Sequence, residues 1–216
     1  MRTARAALLL AVAWLGVPSR ADAQDPIPKI GPFAVDVHGT VPRFPNNPQL
    51  VKSRDLLAQE MPGVGLGVHV SANLYVFTWK VITFGVGGDA AFARARQSSQ
   101  PISTTEFGRA VTERFTHVAP ELSFNFGTGK GWSYLSGGIG RSTWFIVPEG
   151  SEPLPADRER LETINYGGGA RWFLNDHLAF SVDGRFYAIY PGTPDGPRPG
   201  SPRTTLLIVG AGISLK

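Results

Sequence analysis

The chain has 216 residues, no cysteine, 26 glycines and 18 prolines, and its 21 basic and 17 acidic side chains give a formal net charge of +4. Lack of cysteine excludes a disulfide framework, so burial of side chains must hold the fold. No basic run stands out, which argues against a nucleic-acid partner.

The first predicted element is a secretory signal peptide over residues 1–24. Arg2 and Arg5 precede an apolar run from Ala6 to Val17, and Ala21-Asp22-Ala23 supplies a small-residue cleavage signature. Its removal leaves 18 basic (21 − 3) against 16 acidic (17 − 1) side chains in residues 25–216, a nearly neutral chain expected to form one domain. No later stretch reaches 18 consecutive apolar residues, so no helical membrane span is expected.

Period-2 alternation then dominates. The first predicted strand, Pro32 to Val41, sets Phe33, Val35, Val37 and Val41 against Asp36, His38 and Thr40. The segment Pro42 to Pro62 follows, with one weak helix-period stretch at Gln49 to Met61. The second strand, Gly63 to Val76, puts Val64, Leu66, Val68, Val70 and Leu74 opposite Gly65, Gly67, His69, Ser71 and Asn73. A short join, Phe77 to Lys80, leads to the third strand, Val81 to Ala95. After Arg96 to Arg114 comes the fourth, Phe115 to Phe126, with Val118, Leu122, Phe124 and Phe126 opposite His117, Glu121, Ser123 and Asn125. The turn Gly127 to Lys130 leads to the fifth, Gly131 to Ile146, and the segment Val147 to Leu161 to the sixth, Glu162 to Leu174. Asn175-Asp176 turns into the seventh, His177 to Tyr190, and Pro191 to Pro202 precedes the eighth, Arg203 to Leu215, where Leu206 and Ile208 blur the alternation.

Long and short connections alternate strictly. Eight antiparallel strands with four long loops at one end and three short turns at the other predict an all-β, up-and-down barrel. Parity leaves two orientations open: the apolar set points inward, as in a soluble lipocalin-like carrier, or outward into lipid. Three features favour lipid outside. The polar parity is rich in small residues such as Gly65, Gly67, Ser71, Gly167 and Gly169, which suit a narrow lumen. Asp36, Asp89, Glu121 and Asp183 are expected to share that lumen with Arg141, Arg171 and Arg185, so that the charges compensate one another. Aromatics gather near strand ends: Trp79, Trp132, Trp172 and Phe173 by the short turns, Trp144, Phe145, Tyr187 and Tyr190 by the long loops, as two interfacial girdles would.

The strand-turn-strand NYGGGARWFLNDHLAFSVDGRFY, Asn165 to Tyr187, together with the leader and the eight strands, resembles the small OmpA/OmpX-like outer-membrane β-barrels of Gram-negative bacteria. The resemblance implies an outer-membrane location, insertion by the barrel-assembly machinery, contact with membrane lipid and lipopolysaccharide, and a role in envelope integrity or surface contact through the long loops. One departure stands out: family members commonly end in an aromatic residue, whereas this chain ends Ser214-Leu215-Lys216.

Chemistry is sparse. His69, Ser71 and Glu121 share the polar parity and could imitate a hydrolytic triad of the kind that would cleave lipid A acyl chains, but a triad is a matter of geometry. His38, His69 and His117 lie on three strands without metal-ligand spacing. The expectation is a non-enzymatic barrel with no cofactor and no metal, and an eight-stranded interior is too narrow for more than a small pore.

Overall fold

The computed structural model describes residues 29–151, 158–194 and 199–216. The predicted signal peptide lies outside the described residues, as do parts of the third and fourth long connections. Alternating apolar and polar residues build eight strands: β1 Phe33–Arg43, β2 Leu66–Trp79, β3 Ile82–Gln97, β4 Val111–Thr128, β5 Gly131–Pro148, β6 Arg158–Phe173, β7 Leu178–Ile189 and β8 Thr204–Leu215. Each pairs antiparallel with its sequence neighbour, and β8 returns to β1, so the sheet closes into a barrel without free edges.

Closure is staggered. Following the pairing once around from Phe33, through Leu74, Val86, Leu122, Gly137, Tyr166, Phe186 and Leu207, arrives at Arg43, ten residues further along β1 (43 − 33). Such a shear tilts the strands against the barrel axis and fixes a radius that side chains can fill.

The apolar parity faces outward. Leu122 is 60% exposed and Phe180 47%, while Asp36 and Ser181 are fully buried. A lipocalin-like carrier, the alternative that parity left open, would have the reverse arrangement: a barrel with charges inside and a naked apolar belt outside has its lowest free energy in lipid. On β4 the charge-free outward stretch, Thr116 to Phe126, has eleven residues, matching the 9–11 or so that a tilted strand needs to cross a bilayer.

Local chemistry explains where the elements depart from expectation. The first turn is shorter than predicted, Lys80-Val81 alone, with Lys80 at φ 54. Pairing slips by one residue between Tyr75 and Phe77, and this bulge turns Phe77 and Trp79 outward although their parity matches the buried Asn73. Around the weak helix-period stretch Gln49 to Met61, only α1 (Pro48–Ser53) and a 3-10 turn (Ala58–Glu60) form. Asn47 caps α1, its side-chain oxygen accepting from the Gln49 N–H at 2.8 Å, and Pro48 opens it.

Four predicted side chains point the other way. Arg141 is exposed on the outer face, because its neighbour Ser142 takes the inward position and bonds His117 at 2.9 Å. Trp132, Trp144 and Tyr187 are not girdle residues: they are 3%, 2% and 0% exposed, on the inward parity, and they fill the two mouths of the barrel. Trp79 and Trp172 do face outward at the short-turn end, and Tyr190 sits half-exposed beyond β7 under the guanidinium of Arg203, 4.7 Å from its ring.

Candidate functional site

The interior of the barrel is layered. At the short-turn mouth Trp132 stacks on Phe173 at 4.9 Å, and the Lys216 ammonium lies 3.9 Å from the Phe173 ring centre while bonding the Gly129 carbonyl. This arrangement closes that end with aromatic surface and one cation.

Above it sits the first charged layer. Arg171 grips Asp36 through two parallel hydrogen bonds, Nε at 2.8 Å and Nη2 at 2.6 Å, and Ser71 donates to the same carboxylate at 2.7 Å. Ser214 also donates to it. The other face of the guanidinium lies on Tyr134, 4.0 Å from the ring centre. Tyr134 can reach inward because Gly169 opposes it: a Cβ there would stand 2.7 Å from the tyrosine oxygen. Tyr134 in turn donates to Asp183 at 2.8 Å.

The second charged layer is built on Arg185, which contacts Glu121 at 3.1 Å and Asp183 at 3.4 Å and donates to Ser136 at 2.8 Å. Asp89 accepts from the Asn165 amide at 2.6 Å and lies 3.6 Å from His69. Of the seven residues predicted for the lumen charge network, six therefore meet inside and Arg141 does not. The six are four carboxylates against two guanidiniums: Arg171 compensates Asp36, Glu121 and Asp183 share Arg185, and Asp89 is held by the Asn165 amide and His69 in place of an arginine.

The histidines are structural partners of this network. His38 bonds Ser181 at 2.8 Å and lies parallel to His69, with ring centres 5.7 Å apart. Ser71 is committed to Asp36 and Glu121 to Arg185, so His69, Ser71 and Glu121 do not form a hydrogen-bonded relay. Among the described residues no group of three metal-ligating side chains converges.

The long-loop end holds a layer that the sequence reading missed. Phe115, Tyr187, Leu206, Ile189, Leu161 and Trp144 are all at most 3% exposed and form an apolar plug inside the barrel. The signal was present in Leu206 and Ile208, the two residues that blur the alternation of β8. Apolar side chains of the first long loop, Leu50, Val51, Leu56 and Met61, join the plug from above. Within it, Glu113 accepts the Trp144 indole N–H at 2.8 Å.

Two ionic latches hold that loop down. Arg54 donates to Glu159 at 2.6 Å and to Ser201 at 2.7 Å, tying the first loop to the base of β6 and to the fourth loop. Glu60 accepts from the Arg109 backbone at 2.6 Å and from its guanidinium at 3.1 Å, tying it to the second loop. The Arg109 hydrogen bond holds the Glu60 carboxyl well below the usual carboxylate range, at about 2.

The wall is weakened between β4 and β5. The ladder between β4 and β5 is interrupted between the pairs Val118–Arg141 and Leu122–Gly137, where Pro120 has no N–H to give. An apolar recess of about 620 Å3 opens there from the outer face, lined by Val86, Leu122, Ile139 and Tyr166 and reaching Glu121 and Asn165.

Comparison with protein-family models and with curated proteins gives no match. Solved structures do match. The chain is similar to Neisserial surface protein A over 86% of its own length and 97% of that chain, with a TM-score of 0.50 and 13% identity. It is also similar to the outer membrane protein OprG from Pseudomonas aeruginosa over 87% of its length and 96% of that chain, with a TM-score of 0.51 and 14% identity. At such identities the likeness is one of fold, and the fold is that of the small eight-stranded outer-membrane β-barrels.

Proposed function

We propose that this outer-membrane β-barrel is a closed, non-enzymatic surface protein that acts through its long-loop end, in envelope integrity or in contact with a partner outside the cell. The observation that carries this reading is the double closure of the lumen. Two buried ion-paired layers are followed by an apolar plug, and the first loop is latched across the top by Arg54–Glu159 and Glu60–Arg109. A barrel filled in this way offers no water path, so what it presents is the latched outer surface. Lipid and lipopolysaccharide would contact the belt, and the barrel-assembly machinery would insert the chain.

Two measurements test this. Reconstitution in planar bilayers is expected to show no stepwise conductance, and proteolysis of intact cells is expected to cut in the long loops and spare the short turns. Steady open-pore conductance, or cleavage at Lys80-Val81 from outside, would replace the reading.

One observation favours a second reading, passage of a small apolar molecule through the wall. The recess at Pro120 joins the outer belt to Glu121 at the one place where the β4–β5 ladder is broken. Uptake of an apolar probe by cells that carry the protein, lost in Leu122→Trp, would support it over the closed-surface reading.

A further inference from the structure

A row of basic side chains crosses one side of the outer wall just above the apolar belt. Arg94 stands directly opposite Arg114, Arg114 opposite Phe145, and Phe145 opposite Arg158. The three arginines are exposed, and the guanidinium groups of Arg114 and Arg158 lie 5.8 and 5.9 Å from the Phe145 ring centre. Like charges directly opposite on neighbouring strands destabilise the pair. Among the described residues none of the three has a salt-bridge partner, and Glu149 is committed to Arg96.

Closer to the belt, exposed Arg141 and Arg160 flank a depression of about 530 Å3 floored by Ile139 and Gly140, with Glu162 paired opposite Arg141. Five arginines and one glutamate give the patch a formal charge of +4 (5 − 1). The cations are densest on β3–β6: at the long-loop end of β7 and β8 the outward residues are Phe186, Ala188, Thr205 and Leu207, with Arg203 just before β8 seated over Tyr190, and β1 contributes Arg43. Directly below the patch the wall is apolar, through Val118, Leu122 and Ile139.

We propose that this face of β3–β6 docks the phosphate groups of an outer-leaflet lipid such as lipopolysaccharide, with the acyl chains lying on the belt beneath. A phosphate between Arg94 and Arg114 turns the like-charge repulsion of that pair into a shared attraction, and guanidinium forks suit phosphate oxygens. Phe145 holds two of the forks against its ring and limits the rotamer freedom that binding would otherwise remove. The inference rests on the reading that the outer face meets lipid.

The test uses the full folded chain in neutral detergent micelles, titrated with a glucosamine-based lipid carrying two phosphate monoesters and, separately, with the same lipid dephosphorylated and with inorganic phosphate. Binding is read by native mass spectrometry. The phosphorylated lipid is expected to bind in a salt-sensitive way, and Arg94→Ala with Arg114→Ala to weaken it about 25-fold, at about fivefold per arginine. Arg43→Ala, on the opposite wall, should leave affinity unchanged. Folding is checked by the mobility shift on boiling, and Arg158→Ala with Arg160→Ala gives the same reading should the first pair not fold. Equal binding by the dephosphorylated lipid, equal binding by inorganic phosphate, or an equal loss in Arg43→Ala would overturn the site. Flotation with neutral phosphatidylcholine vesicles separates the two failures: a chain that does not float overturns the lipid-facing reading itself, and one that floats without phosphate discrimination overturns the patch alone.

Discussion

Arg171 and Asp36 meet across the barrel interior through two hydrogen bonds of 2.8 and 2.6 Å, with side chains 1% and 0% exposed. A pair buried this completely is held by mutual compensation, so removing one partner leaves the other as an isolated charge in a medium that cannot solvate it.

Asp36→Ala is therefore expected to cost about 3–5 kcal/mol, measured by urea unfolding of the chain refolded in vesicles, and Asp36→Ala with Arg171→Met appreciably less. Additive losses in the double variant would mean that the two groups do not act as a pair.

The outer belt predicts a cost that depends on depth. Leu122 lies mid-way along β4 and is 60% exposed, whereas Trp172 lies near the end of β6, stacked with Phe180 at 6.0 Å. Leu122→Arg should destabilise the inserted barrel by about 2–4 kcal/mol, and Trp172→Arg by about 0–1 kcal/mol for its charge. Comparable costs at both positions would contradict the placement of the belt relative to the bilayer.

The latch between Glu60 and Arg109 predicts acid sensitivity of the first loop. The Glu60 carboxyl is depressed from 4.5 to about 2, chiefly by its hydrogen bond to Arg109. A group with a lowered folded-state pKa contributes stability that is fully present above its unfolded value, near 4.5, and is lost as pH falls toward 2. Hydrogen exchange of residues 48–61 should accelerate over that window in the native chain, and Glu60→Gln should exchange fast throughout. A flat profile in the native chain would show that the Leu50 and Met61 contacts alone hold the loop.

Much of this was legible in the sequence because the strand period is 2 and one face must be apolar. The alternation assigned the strands and, over β1, β3, β4, β6 and β7, put on one parity the six charged residues that meet inside, while the small residues and charges on that parity, and not the alternation itself, favoured lipid outside. It failed where a local event resets parity or where composition outweighs parity. The bulge at Val76 is a backbone shift that no side-chain pattern announces, and it turns Trp79 outward, where the girdle expectation had it, against the parity of its own strand. Trp132, Trp144 and Tyr187 look like interfacial aromatics by type and by position near strand ends, yet a barrel mouth needs large side chains as well, and parity placed them inside. The loop latches pair residues 49 and 105 positions apart, Glu60 with Arg109 and Arg54 with Glu159, a separation at which sequence pattern carries no geometric information.

Phe115 tests which layer seals the barrel. It is fully buried, packs edge-on to Tyr187 at 5.3 Å and sits above the Arg185 layer. Phe115→Ala should cost about 3–5 kcal/mol in unfolding experiments, through lost contacts and the cavity left behind. That cavity would open between the Tyr187 and His117 rings, on the plug side of the Arg185 layer, so bilayer conductance should remain at baseline as long as the ion-paired layer is intact. Arg185→Ala should act differently: it leaves Glu121 and Asp183 facing one another without their cation, in a polar layer that water can then enter. Leak conductance rising in Arg185→Ala and not in Phe115→Ala would place the seal in the ion-paired layer. The opposite result would place it in the plug, and would make the first loop, which supplies Leu50 and Met61 to that plug, part of the closure itself.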